Sequence, residues 1–210
     1  MKTFLFQGDS VTDAGRDHEN DYDLGPGYPS MVAEYFEQKY PGRLRFFNTG
    51  TSGDTSANVY ARMGTDILNI EPDYMSLLVG FNDYSHLINN GDGIPSHRYE
   101  QLLCMLIEDV RQSLPQIKII ILEPYVLKGL ATAPKWELLN EGVRKNASIA
   151  KRTAQKYGLP FIPLQSVFDS LCSEKPADFW LADGIHPTEH GHRVIADELI
   201  KLAESICLNR

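Results

Sequence analysis

Four blocks of small and polar residues, spread along the chain, carry groups suited to acyl transfer: Gly8-Asp9-Ser10, Gly53, Gly80-Phe81-Asn82-Asp83 and Asp183-Gly184-Ile185-His186. A serine hydroxyl becomes a nucleophile only when a base takes its proton, and histidine has the ordinary pKa nearest neutrality. His186 is therefore the candidate base for Ser10. Asp183, three residues earlier, can accept from the other imidazole nitrogen, which fixes the tautomer and stabilises the imidazolium. Attack on a carbonyl creates an oxyanion. The backbone N–H groups of Ser10 and Gly53 and the side-chain amide of Asn82 could supply three donors to it. Glycine suits position 53 because a side chain there could obstruct the approach of the backbone.

These blocks can meet only if the intervening chain brings them to one rim. Short apolar runs at Thr3–Phe6, Leu44–Phe47, Tyr74–Val79, Ile117–Leu122 and Pro160–Ile162 read as strands buried on both faces, as in a parallel sheet. Between them, apolar residues at 3–4 spacing predict helices over Ser96–Leu114, over Glu137–Tyr157, and from a Thr188 N-cap to about Leu208. Weaker helical patterns cover Ser30–Tyr40, Ser56–Leu68 and Leu164–Cys172. Strand and helix alternate throughout, which predicts one three-layer α/β/α domain over residues 1–210. Ligands bind at the C-terminal ends of strands in such sheets, and each of the four blocks falls after a strand or just before the last helix.

Composition narrows the function classes. With 210 residues, 42% of them hydrophobic, the chain can bury a core without disulfides or metal. Its net charge of −8 argues against a nucleic-acid scaffold, which needs a concentrated excess of Lys and Arg. The three cysteines, Cys104, Cys172 and Cys207, are widely spaced and suggest reduced thiols. No apolar stretch reaches the roughly 20 residues of a membrane span or the 7–15 of an export signal. The expected location is the cytoplasm, with no membrane partner.

The four blocks, in this order and covering positions 8 to 187, resemble those of the SGNH hydrolases, the GDSL-type esterases and lipases. The resemblance implies a flavodoxin-like sheet of about five parallel strands and serine hydrolysis of esters without cofactor or metal. By position it implies Ser10 as nucleophile, His186 as base, Asp183 as its orienter, and Ser10, Gly53 and Asn82 as the oxyanion hole. Gly8 through Arg16, together with Gly25-Pro26-Gly27-Tyr28, look most like bacterial intracellular acetylxylan and related carbohydrate acetyl esterases. That likeness implies a small-molecule ester, an acetylated sugar, as substrate, and homo-oligomers are common among such enzymes. The sequence departs from these relatives after Asn82-Asp83, where Tyr84-Ser85-His86 replaces an expected Trp and Arg.

Further residues admit two readings. Arg16, Tyr28 and Trp180 could contact substrate or belong to the core. Asp9, Asp13, Asp54 and Asp83 read as loop braces, and Cys104 as an inert core thiol. His186-x3-His190-x-His192 mimics metal-ligand spacing, but residues two apart on a helix point to different sides. The irregular 124–136 stretch reads as a lid or an oligomer contact. Lysophospholipase, thioesterase or arylesterase activity would use the same blocks. A metal-dependent phosphoesterase fits less well, because an early Asp-x-His pair is missing and Asn82-Asp83 lacks an adjacent histidine. A non-catalytic binding module would not need every one of these groups.

Overall fold

Alternation along the strands decides which helices cover which face. The computed structural model describes residues 1–208. Its strands β1 (Lys2–Gly8), β2 (Leu44–Asn48), β3 (Tyr74–Leu78), β4 (Lys118–Leu122) and β5 (Phe161–Ile162) form one parallel sheet in the order β2-β1-β3-β4-β5. The helices are α1 (Ser10–Asp13), α2 (Tyr28–Lys39), α3 (Ser56–Ala61), α4 (Phe81–Asn89), α5 (Ser96–Ser113), α6 (Trp136–Tyr157), α7 (Leu164–Leu171), α8 (Ala177–Trp180) and α9 (Glu189–Leu208). Successive strand residues point to opposite faces. Phe4, Phe6, Leu78, Ile120 and Leu122 therefore pack under α2, α7 and α9. Leu5, Met75, Leu77, Ile119 and Ile121 pack under α3, α5 and α6. Each such side chain, fully buried, stabilises by roughly 1.5–3 kcal/mol relative to exposure. The result is the expected α/β/α sandwich, with the flavodoxin-type strand order.

Several local expectations are corrected. The single helix expected over Ser56–Leu68 stops at Ala61 and resumes as a π-turn over Gly64–Leu68. There the Thr65 hydroxyl takes up the Arg62 carbonyl at 3.0 Å, and Asn69 N–H reaches back to Gly64. Helix α4 was not expected, because its polar first turn, Asn82-Asp83, reads as a turn signal. Its N-terminus is set by Gly80 at φ +136°, whose carbonyl accepts from the Asn146 amide at 2.9 Å. Cys104 is half-exposed rather than core, with its Sγ 3.6 Å from Lys156 Nζ. Among the described residues, no helix is long and apolar enough to cross a membrane.

This topology matters for one place. Strand order reverses between β1 and its neighbours β2 and β3, and the crevice at the carboxyl ends there is where ligands bind in open α/β sheets. Ser10, Gly53 and Asn82 follow β1, β2 and β3 respectively.

Candidate active site

The turn from β1 into α1 needs glycine at position 8. A Cβ there would strike the Thr12 side chain and the Leu78 carbonyl, because β1 and β3 approach closely at this point. Asp9 caps α1, accepting Val11 N–H at 3.1 Å. Ser10 is thereby the first helical residue. Its Oγ lies 3.0 Å from His186 Nε2. His186 Nδ1 is 2.8 Å from Asp183 Oδ2, while Asp183 Oδ1 accepts the N–H groups of His186 and Ile185 at 2.8 and 2.9 Å. Partial burial would raise the Asp183 carboxyl, but these hydrogen bonds outweigh it and hold the group below its ordinary value. A carboxylate in this position can only accept, so Nδ1 carries the proton and Nε2 is left to accept from Ser10.

The Asp183–His186 turn is built from two sides. Leu181 and Pro187 form an antiparallel bridge, with Ala182 N–H donating to the His186 carbonyl at 2.8 Å. The 124–136 stretch then docks beneath it. Leu127 N–H donates to Gly184 O and Ala131 N–H to Asp183 O, both at 2.9 Å, and the buried Thr132 hydroxyl ties Leu127 O at 2.7 Å. That stretch, expected to be a lid or a contact between copies, braces the histidine turn through these bonds.

On the opposite wall, Asn82 Nδ2 donates to Asp54 O at 3.0 Å, leaving its second hydrogen unspent. Among the described residues, the Ser10 and Gly53 N–H groups have no protein acceptor. Three donors are thus left unspent on the segments that follow β1, β2 and β3. Glycine at 53 has a conformational reason that the sequence does not display. A Cβ would meet open space, but the residue sits at φ +85°, a conformation L side chains rarely adopt.

The aspartates divide as braces. Asp13 accepts Ser52 N–H and Oγ–H at 2.9 and 2.6 Å and faces His18 Nε2 at 3.1 Å. Burial opposes its ionisation, but these partners keep its carboxyl below the ordinary range. Asp54 pairs with Arg62 at 2.5 Å. Buried Asp83 accepts from the amide and hydroxyl of Ser56, and burial lifts it to about 6. Asp9 is 4% exposed, and burial pushes it up to about 7 despite the Val11 hydrogen bond and the nearby His186. Between about pH 4 and 7 the folded state therefore holds a proton that the unfolded state has released, so Asp9 costs stability as pH rises through that window. Asp9→Asn, which can still cap Val11, should gain on the wild type by roughly 2–4 kcal/mol between pH 4.5 and 8.0. Urea unfolding of both proteins at the two pH values measures this; a gap independent of pH would show that Asp9 is already ionised at pH 4.5.

The expected substrate contacts separate. Tyr28 is fully buried, its hydroxyl 2.9 Å from Thr12 Oγ1 and its ring edge-on to Phe6, so it is core and cannot touch a ligand. Trp180 donates its indole N–H to Leu171 O at 3.2 Å and packs edge-on against Phe179, which makes it a clamp between α7 and α8. Arg16 donates from Nε to Gly50 O at 3.2 Å and lines a large cavity beside β2. His192 Nδ1 accepts Tyr28 N–H, and its burial, followed by the charge of His186, lowers it to about 4. His190 stacks on Phe179 at 4.2 Å. Tyr84, the departure noted after Asn82-Asp83, lies against Gly142 of α6. Arg62 went unnoticed in the sequence. It grips Thr51 Oγ1 at 3.0 Å as well as Asp54, bracketing the loop that carries Gly53, and its i,i+4 spacing to Asp66 was the only available signal.

Comparison with known proteins places this geometry among others. Residues 6–194 match the family model described as GDSL-like Lipase/Acylhydrolase family. Over 207 residues the chain is 27% identical to the acetylxylan esterase of Geobacillus stearothermophilus, covering 94% of this chain and 91% of that one. It is 24% identical over 226 residues to the isoamyl acetate-hydrolyzing esterase of Saccharomyces cerevisiae, covering 96% and 86%. A GDSL-like lipase from Parabacteroides merdae has a solved structure that superposes with a TM-score of 0.91 at 29% identity, covering 95% of this chain and 94% of that one.

Proposed function

We propose, from the premise that this chain belongs to the GDSL-like lipase/acylhydrolase family and is a carboxylic ester hydrolase, that it removes short acyl groups, acetyl above all, from O-acetylated carbohydrates. The observation that carries the acyl preference is a cavity of about 10 Å³ lined by Asp9 and Val11, which flank Ser10, by Phe81 beside Asn82, by Ile185 beside His186, and by Val79 and Tyr125. That is the scale of a single water, and hence of a methyl group rather than an alkyl chain. Two relatives named for acetyl esters, one of a polysaccharide and one of a simple alcohol, favour the same acyl group.

In the proposed reaction His186 Nε2 accepts the Ser10 proton as Oγ attacks the ester carbonyl. The oxyanion is held by the Ser10 and Gly53 amides and the free Asn82 hydrogen, each donor contributing about 2.7–4 kcal/mol in the transition state. Collapse breaks the carbonyl carbon–alkoxy oxygen bond, and the imidazolium returns its proton to the departing alcohol. Water, deprotonated by the same histidine, then attacks the acyl-Ser10 ester and releases the carboxylic acid and the free hydroxyl. Asp183 keeps the imidazolium oriented and compensated throughout. The three cysteines, unpaired in the structure, fit a reducing compartment and support a cytoplasmic setting.

A series of 4-nitrophenyl esters tests the acyl preference. One methylene too many in a closed pocket typically costs about 10-fold or more, so kcat/KM should fall at least that much from acetate to butyrate and further to octanoate. Acetylated xylooligosaccharides should release acetate. A preference for octanoate over acetate would overturn the short-acyl reading and favour a lysophospholipase.

A further inference from the structure

A second cavity, of about 600 Å³, lies on the far side of the loop that carries Gly53, at the carboxyl end of the edge strand β2. Its size is that of a site for a ligand of several rings' bulk rather than for an acetyl group. We propose that it seats the neutral, hydroxyl-rich alcohol portion of the substrate, a sugar residue or two beyond the one that bears the ester. The inference rests on the esterase reading above.

Charge excludes the other ligand classes. Arg16 and Arg62 line the cavity, but so do Asp21 and Asp66, and Arg62 is already spent on Asp66 at 2.8 Å and on Asp54 at 2.5 Å. An anion would meet two carboxylates on a chain of net charge −8, and a cation would meet two guanidinium groups. A ligand whose groups both donate and accept suits a wall that offers both. Thr49 Oγ1 is without a partner but is fully buried, so it does not reach this space. Among the described residues, the side chains of Asn69 and Asp21 also have no hydrogen-bond partner. Phe47, with Tyr22 tilted beside it at 5.9 Å and the Arg45 guanidinium 5.1 Å over its ring, adds an apolar part to the wall. The π-turn over Gly64–Leu68 brings Asp66 to the wall and Asn69 just after it. Such turns are rare and recur at functional sites.

The cavity also adjoins the proposed chemistry. Thr51 lines it, and Thr51 N–H donates to Gly8 O at 3.1 Å, two residues before Ser10. Arg16 lines it while holding Gly50 O. A glycan whose ester sits at Ser10 could therefore run across the 50–53 loop into this space.

Unacetylated xylotetraose, titrated calorimetrically into the full chain, is the test. The wild type should bind it in the millimolar range or tighter. Asp21→Ala and Asn69→Ala, which remove the two unpartnered polar side chains of the wall, should each weaken binding at least fivefold, and together at least 20-fold, with unfolding midpoints unchanged. Binding that the two substitutions leave intact, or no binding by the wild type, would overturn the cavity assignment. Cleavage of 4-nitrophenyl acetate by the same wild-type preparation reports separately on the esterase reading, so the two can fail independently.

Discussion

Ser10→Ala is expected to lower kcat for 4-nitrophenyl acetate by about 10⁴-fold or more, as loss of a nucleophile does where serine and histidine act as a unit. The effect should be confined to chemistry. The alanine keeps its backbone N–H, so one donor to the oxyanion survives, and the Asp9 cap on Val11 does not involve the hydroxyl. Ser10 is only partly buried and its Oγ bonds to His186 alone. The unfolding midpoint should therefore stay near that of the wild type, and steady-state assays beside a thermal melt separate the two effects. Retention of activity within tenfold would mean that another group attacks the ester.

Asp183→Asn should cost about as much, roughly 10⁴ in kcat with little change in KM, and for a more specific reason. Asp183 uses Oδ1 for two backbone N–H groups and Oδ2 for the imidazole. An asparagine that keeps its oxygen on the two amides must turn its NH₂ toward Nδ1. Nδ1 then becomes an acceptor, the ring proton moves to Nε2, and Nε2 can no longer take the Ser10 proton. The imidazole stays in place with the wrong tautomer, which nitrogen-15 shifts of the histidine ring would reveal. A loss below tenfold, with the tautomer unchanged, would reduce Asp183 to a cap on the 183–186 turn.

Much of this arrangement is legible in the amino-acid order, because the signals involved are local. Lys118-Ile119-Ile120-Ile121-Leu122 can hardly be anything but a strand buried on both faces, and the small-residue blocks mark where such strands end. The unread features depend on contacts between distant segments. Tyr28 follows a glycine-rich loop and looks available, yet Phe6 from β1 and Thr12 from α1 enclose it. The 124–136 stretch looks like a free loop until Gly184 and Asp183 accept its N–H groups. Gly53 is expected for its lack of bulk, and its positive φ is a second requirement, since backbone torsion leaves no mark in a single sequence. Helix α4 was hidden because Asn and Asp in its first turn favour turns and helix starts alike. Arg62 was invisible for the same reason as Tyr28: its partners Thr51 and Asp54 are loop residues brought near by the sheet.

Covalent capture is the most direct measurement. A fluorophosphonate should label the wild-type chain once, with the added mass on the peptide containing Ser10 and activity lost in proportion. Ser10→Ala should take up no label, and Asp183→Asn should react far more slowly. Labelling at any other serine, or full inactivation with Ser10 unmodified, would contradict the assignment of Ser10 as the attacking group.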